Sequence, residues 1–378
     1  MNVGAARWLV VTILVLVAAV ACSPSPAPPL PTTEPTPASK PSIDYVALEA
    51  EIEKAISTGP AMLDNVRAVL VNVDGETKIA HYRHGFTQDD HGHVFSVTKS
   101  VVSILIGIAI ADGLIAGPGE PLAELLPKHR KAMSGDTAKV TLRQVMTMSG
   151  GFDNDLFAAD LWEKSAEPGG DFVELLLERP KYPPGTGFWY SDPSAHVVAA
   201  VLAAALERAD GDRPRTVLDY AREKLFDPLG ISTLPTFSRP LPDVFAPEFV
   251  TAGFGWGTDP DGIRLGGLGL RLTPLDMMKI GELYRRDGVW NGQQIVPPDW
   301  VQQSTSPSTV NDEYGLLWWI IAEPEGAGYA ASGHGGQRIF VLPRSRAVIV
   351  YMSDVRPDSQ IDEKELEPLD NVCVSPFL

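Results

Sequence analysis

The chain has 378 residues, of which 44% are hydrophobic. That suffices for a sizeable core in one large catalytic unit or in two or three domains. Acidic residues outnumber basic ones, 48 to 31, and the formal net charge is −17. With no Lys/Arg cluster against that charge, nucleic acid and anionic membrane surfaces are set aside as partners, and the acidity is read as serving solubility.

The N-terminus reads as a processing signal over residues 1–21. Arg7 supplies the positive start, residues 8–20 form a short apolar run, and Ala19-Val20-Ala21 is a small-residue cleavage site. The run is too short to span a bilayer comfortably. Cleavage after Ala21 would release a soluble protein, whereas a bacterial lipoprotein would carry lipid on Cys22. Ala19 stands where a lipoprotein signal usually has leucine, but a cysteine at the cut site, followed by a Pro/Ser/Thr-rich stretch, favours the lipid anchor. Residues 22–42 are then a tether between membrane and folded unit. With Cys22 lipidated, Cys373 has no partner, so neither a disulfide nor a cysteine-based metal site is available.

The folded unit is expected from about residue 43 to 378. Residues 45–57 carry Val46, Leu48, Ile52 and Ile56 at helical spacing. Residues 67–73 and 77–84 read as two strands around Asp74-Gly75. His81, His84, His91 and His93 follow closely, but no carboxylate or cysteine completes a metal set, so they read as solvated loop histidines. The next stretch, Phe95-Ser96-Val97-Thr98-Lys99-Ser100, opens an apolar helix that stops at Asp112-Gly113. Ser100, Ser103, Gly107 and Asp112 make it a buried central helix rather than a membrane span.

Ser96 and Lys99 stand three apart, on one face of that helix. This is the arrangement a serine nucleophile needs when a lysine removes its proton. A lysine one turn into an apolar helix is expected to be partly buried, with its pKa lowered toward neutrality.

From about 140 to 306 the chain reads as mostly helical, clearest at 197–206, 217–225 and 274–284. Before the first of these lies the loop Pro184-Gly185-Thr186-Gly187-Phe188-Trp189-Tyr190-Ser191-Asp192. Tyr190 there could hold its hydroxyl between Lys99 and a leaving group, or serve as an aromatic anchor. Strands return at 315–322, 328–332, 337–342 and 347–353. Trp318 and Trp319 could line a pocket, but the default expectation is that they pack in the core against the helices. Ser332-Gly333-His334-Gly335-Gly336-Gln337 opens a strand and is either a plain glycine hairpin or a site whose glycines admit a close backbone approach and whose N–H could face an oxyanion. After Asp354 only a weak helix is legible.

Strands at both ends with helices between predict one discontinuous α/β part, about 43–95 and 314–378, and a mostly helical part over about 96–313. No internal repeat is present. No glycine-rich phosphate loop precedes a helix, and no cofactor is expected.

Together these three motifs resemble the class C β-lactamase-like serine hydrolases. That family includes class C β-lactamases, DD-peptidases, D-aminopeptidases, serine esterases and 6-aminohexanoate-dimer hydrolases. Its pattern is Ser-x-x-Lys, Tyr-x-Asn, then Lys- or His-x-Gly, matched here by Ser96/Lys99, Tyr190 and His334/Gly336. Further familial stretches are Thr141-Leu142-Arg143-Gln144-Val145-Met146-Thr147-Met148-Ser149-Gly150-Gly151, Phe226-Asp227-Pro228-Leu229-Gly230 and residues 266–274.

The resemblance implies an α+β fold, with an antiparallel sheet flanked by helices plus an inserted helical domain. It implies that Ser96 attacks a carbonyl, Lys99 takes its proton and Tyr190 relays protons to the leaving group and to water. The backbone N–H groups of Ser96 and Gln337 would form the oxyanion hole. Asp192, His334, Gly335 and Gly336 would contact a small ester, amide or peptide substrate. Asp192 departs from the usual Asn and would raise the pKa of Lys99 unless it faces away. His334 and Gly335 replace the Lys-Thr pair of carboxylate-binding relatives, which predicts an esterase or amidase with poor β-lactamase and carboxypeptidase activity. The alternative is a non-catalytic penicillin-recognising or cell-wall-binding lipoprotein on the same scaffold.

Overall fold

A computed structural model describes residues 43–321, 326–359 and 361–378. Cys22, the signal and the tether lie outside the described residues. Among those described, no helix is long and apolar enough to cross a membrane.

Helix α1 (Tyr45–Thr58) is capped by Asp44, whose carboxylate accepts from Val46 N–H and Ala47 N–H at 3.0 and 3.1 Å. Strands β1 (Val66–Val73) and β2 (Glu76–Tyr82) follow. Asp74 and Gly75 join them with φ of 55° and 81°, as a two-residue hairpin between right-twisted strands requires. After β3 (Gly92–His93) comes the central helix α2 (Val97–Ala111). The long helix α3 (Asp192–Asp210) follows, then β4 (Gly255–Trp256) and β5 (Leu270–Leu272), which form a small sheet with β3 in the order β3-β5-β4. Helix α4 (Pro274–Arg285) and the hairpin β6–β7 (Val289–Trp290, Gln293–Gln294) lead to β8 (Trp319–Ile321), β9 (Gly328–Gly333), β10 (Gln337–Leu342) and β11 (Ala347–Ser353). Helix α5 (Glu367–Cys373) closes the chain.

The main sheet has six strands in the order β2-β1-β11-β10-β9-β8, every neighbouring pair antiparallel. The pairing of β1 with β11, from Val66↔Ser353 to Val73↔Ala347, joins the two ends of the chain. Both faces of the sheet are covered, so β11 is buried at every position yet still divides by the two-residue period. Val348, Val350 and Met352 face the core built around α2, while Ile349 and Tyr351 face α1 and α5. Ala68 and Leu70 of β1 join the first cluster, and Val69 and Val71 the second.

Three expectations change. The strand expected from 315 begins only at Trp319. Residues before it turn back through Leu317 at φ 65°, where the Ser100 and Ser103 hydroxyls donate to the Leu317 and Leu316 carbonyls at 2.8 and 2.6 Å. The helix expected at 217–225 is a short α-helix, Val217–Ala221, running into a π-helical turn, Arg222–Phe226. The weak C-terminal helix is firmly docked, with Leu366, Leu369, Cys373 and Phe377 all buried against the α1 side of the sheet.

Candidate active site

Ser96 sits at the first turn of α2, immediately after a strained residue. Phe95 has φ of 45°, a region bulky side chains rarely enter. Its carbonyl accepts from the Thr98 hydroxyl at 2.6 Å and its ring lies 3.8 Å from that of His93 and 5.5 Å from that of His334. These contacts hold a sharp turn that lifts Ser96 out of the core, where it is half-buried.

The Lys99 side chain is 1% exposed, deeper than the partial burial expected. Its Nζ donates to Ser96 Oγ at 2.8 Å, to the Gly267 carbonyl at 2.8 Å and to the Asp192 carboxylate. Burial pulls the ammonium's pKa down, but the charge of Asp192, followed by Tyr190, outweighs it, and the net shift is upward. The expectation of a lowered lysine pKa is therefore corrected: at neutral pH the resting side chain is a cation. Asp192, expected as a substrate contact, turns its carboxylate to Lys99. It is the first residue of α3, where the helix dipole favours a negative charge, and its N–H donates to Asn154 Oδ1 at 3.0 Å.

Tyr190 lays its ring over the same ammonium, 4.7 Å from Nζ to ring centroid. Trp319 stacks on the ring at 5.6 Å and Tyr314 meets it edge-on at 6.1 Å. Trp318 is fully buried against Tyr284, as expected, whereas Trp319 is only half-buried and belongs to this aromatic wall.

The third motif meets the first through glycine. Gly333 lies opposite Gln337 in the β9–β10 pair. A Cβ on Gly333 would stand 2.3 Å from the Val94 carbonyl and 3.1 Å from the Ser96 nitrogen, so only glycine lets the strand come this close. The Gln337 amide is buried and spent on β11, donating to the Ser353 carbonyl at 2.9 Å and accepting from the Ser353 N–H at 3.1 Å. His334, Gly335 and Gly336 form the turn. His334 is exposed, with Nδ1 3.6 Å from Glu363, and the Gly335 N–H donates to the same carboxylate at 2.8 Å. A Cβ on Gly335 would lie 2.1 Å from Val355 Cγ2. The C-terminal segment thus fills the space that a side chain at 335 would occupy.

The four early histidines disperse. His81 on β2 reaches Glu49 and Glu53 of α1 at 3.3 and 2.9 Å, and His84 reaches Asp64 at 3.2 Å. His93, expected in a solvated loop, lies on β3, where its Nε2 accepts from the Gly269 N–H at 3.0 Å and burial holds it neutral. Among the described residues no group of three or more His, Cys, Asp or Glu is placed to hold a metal.

One polar pair was not legible in the sequence. His196 and Asp259, both fully buried, meet at 2.9 Å through Nε2 and Oδ2, and the Gly266 N–H donates to His196 Nδ1 at 3.3 Å. That hydrogen bond requires an unprotonated Nδ1 and leaves the proton on Nε2 facing Asp259. The pair braces the segment whose next carbonyl, Gly267, receives Lys99. Positions 63 apart offer no spacing signal.

A family model described as Beta-lactamase matches residues 64–369. The chain is 24% identical over 314 residues to a 6-aminohexanoate-dimer hydrolase of Paenarthrobacter ureafaciens, covering 76% of this chain and 72% of that one. A penicillin-binding protein homologue from Caulobacter crescentus superposes with a TM-score of 0.64 at 17% identity, over 88% of this chain and 97% of the other. A D-stereospecific amidohydrolase from Streptomyces sp. superposes with a TM-score of 0.61 at 14% identity, over 88% and 99%.

Proposed function

The chain belongs to the Beta-lactamase family and is a serine hydrolase of that superfamily, and we propose that it works through an acyl-enzyme on Ser96. The observation that carries this reading is the 2.8 Å contact between Lys99 Nζ and Ser96 Oγ, on a helix whose first turn presents the serine. Ser96 Oγ attacks the carbonyl carbon of an ester or amide, and its proton passes to the unit formed by Lys99 and Tyr190. The carbonyl oxygen becomes an oxyanion between the backbone N–H groups of Ser96 and Gln337. The leaving group departs with a proton delivered from the Lys99–Tyr190 unit, and water, deprotonated by the same unit, releases the acyl group.

The substrate is a small ester or amide. Names among the relatives, a dimer hydrolase and an amidohydrolase, support that class. At the third motif, an imidazole and a glycine stand where a fixed ammonium and a hydroxyl would hold a carboxylate, which favours an uncharged group there. The small-residue cut site, Cys22 and the following Pro/Ser/Thr-rich stretch support export and a lipid anchor.

The test is intact-mass spectrometry of purified protein treated with a fluorophosphonate. One adduct is expected, absent from Ser96→Ala. An adduct that survives the substitution assigns the nucleophile elsewhere.

A further inference from the structure

Lys99 is held by three partners that differ in what they can accept and donate. The Gly267 carbonyl and the Asp192 carboxylate accept only, while the Ser96 hydroxyl can accept or donate. As an ammonium, Lys99 satisfies all three. As a neutral amine it keeps two N–H bonds and one lone pair. Two acceptor-only partners claim the two N–H bonds, so the lone pair is left for the Ser96 proton at 2.8 Å. An amide at position 192 could present its NH2 to the amine instead, and the lone pair would no longer be assigned by elimination. The fit is close: a Cβ on Gly267 would stand 2.8 Å from Asp192 Oδ1, so glycine there leaves room for the carboxylate.

We propose that Asp192 is the positioning member of a Ser96–Lys99–Asp192 set, aiming the Lys99 lone pair at the serine and stabilising the ammonium that forms, and thereby setting the pH at which the serine is activated. This rests on the acyl-enzyme reading. The proton leaves Oγ for Nζ as the Oγ–C bond forms and the carbonyl π pair moves onto oxygen. On collapse, the bond to the leaving group breaks with its electron pair, the leaving group takes a proton from the Lys99–Tyr190 unit, and the amine is regenerated. Asp192 remains a carboxylate throughout, its negative charge matched to the transient ammonium.

The groups facing Lys99 are few. Asp192 comes from α3, Tyr190 from the loop before it, Ser96 from α2 itself, and the 266–267 segment offers only a carbonyl. Tyr314 stands behind Tyr190, deeply buried and held protonated. The upward shift of Lys99 makes the neutral amine a minority form at pH 7. The kcat/KM should therefore rise with pH across the neutral range. Without the carboxylate, burial is opposed only by Tyr190, the lesser of the two raising groups, and the amine is freed at lower pH.

The test follows kcat/KM for a short-chain p-nitrophenyl ester from about pH 6 to 10 in wild type, Asp192→Asn and Asp192→Glu, with fluorophosphonate labelling of Ser96 alongside. Wild type should still be climbing at the top of this range, because its lysine is held above the ordinary value, whereas Asp192→Asn should level off within the range and at a lower rate. Asp192→Glu keeps the charge but misplaces it, so its profile should still climb while its rates fall at least about tenfold. An Asn profile that climbs through the range as wild type does, with Ser96 still labelled, overturns the role of Asp192 and leaves the acyl-enzyme intact. If the Asn variant does not fold, a Glu profile that levels off within the range, or Glu rates equal to wild type, overturns it. No labelling of wild-type Ser96 at any pH instead removes the acyl-enzyme reading itself.

Discussion

At residue scale the site is one cation with four neighbours, and each neighbour can be asked separately what it contributes. Tyr190 offers a ring to the ammonium, 4.7 Å away, and a hydroxyl to the chemistry. Tyr190→Phe keeps the ring and removes only the hydroxyl, so it separates the two. If the hydroxyl relays protons, the variant should lose about 10²–10⁴-fold in kcat/KM with little change in melting temperature. Combined with Lys99→Ala, the double variant should be little worse than the more damaging single one, because both belong to one proton-handling unit. Additive losses in log kcat/KM would show that the two act independently. Ser96 and Lys99 were legible because their relation is local: three residues on a helix determine a shared face. The direction of Asp192 was not, since it depends on how the first turn of α3 meets α2 across the core. For the same reason the upward shift of Lys99 could be named only as a condition on where Asp192 points.

At the scale of elements, local rules carried the hairpins and the long helices. Asp74-Gly75 reads as a turn because its two positive φ values suit those residues, and β10 and β11 run as their β-branched composition suggests. The run before Trp319 misled because its apolar residues are buried in a turn whose carbonyls bond serines of α2. The C-terminal helix looked weak because polar and proline residues dilute a narrow apolar stripe, Leu366, Leu369 and Cys373, that suffices once α1 is there to cover it. One of those polar residues is a testable liability. Asp370 is pushed up to about 6, first by burial, and its Oδ1 is sealed from solvent without a partner. The folded value lies above the unfolded one of about 4, so this group's contribution to stability is greatest below that pH and is lost as pH rises through the folded value. Asp370→Asn should therefore stabilise the protein by about 1–2 kcal/mol at pH 8, with little gain at pH 4. Urea unfolding at the two pH values checks it; an equal gain at both would mean that ionisation is not the cause.

For the whole molecule, the two ends of the chain carry separate predictions. At the N-terminal end, Cys22→Ser should move the protein from the membrane to the soluble fraction, read by fractionation and immunoblot; equal retention of both forms would exclude covalent lipid at Cys22 as the anchor. The C-terminal end shapes the site from a distance. Val355 fills the space beside Gly335, and Glu363 accepts from the Gly335 N–H at 2.8 Å, so the third-motif turn is backed by the last segment of the chain. A threonine at 335 would bring its Cβ to 2.1 Å from Val355 Cγ2 and would put a β-branched residue at φ 76°. Gly335→Thr should therefore destabilise the fold by roughly 2 kcal/mol or more, and Val355→Ala should recover only the steric part. The chain's own closure thus bars a threonine hydroxyl at 335, and His334 sits exposed beside Glu363. Charge-assisted hydrogen bonds to a carboxylate are about twice as strong as neutral ones, so a substrate that depends on them loses most here. The expected outcome is a kcat/KM for a short-chain p-nitrophenyl ester well above that for a chromogenic cephalosporin. Cephalosporin turnover equal to or faster than that of the ester would show that carboxylate recognition survives by another route, and the selectivity argued from Gly335 and Val355 would fall.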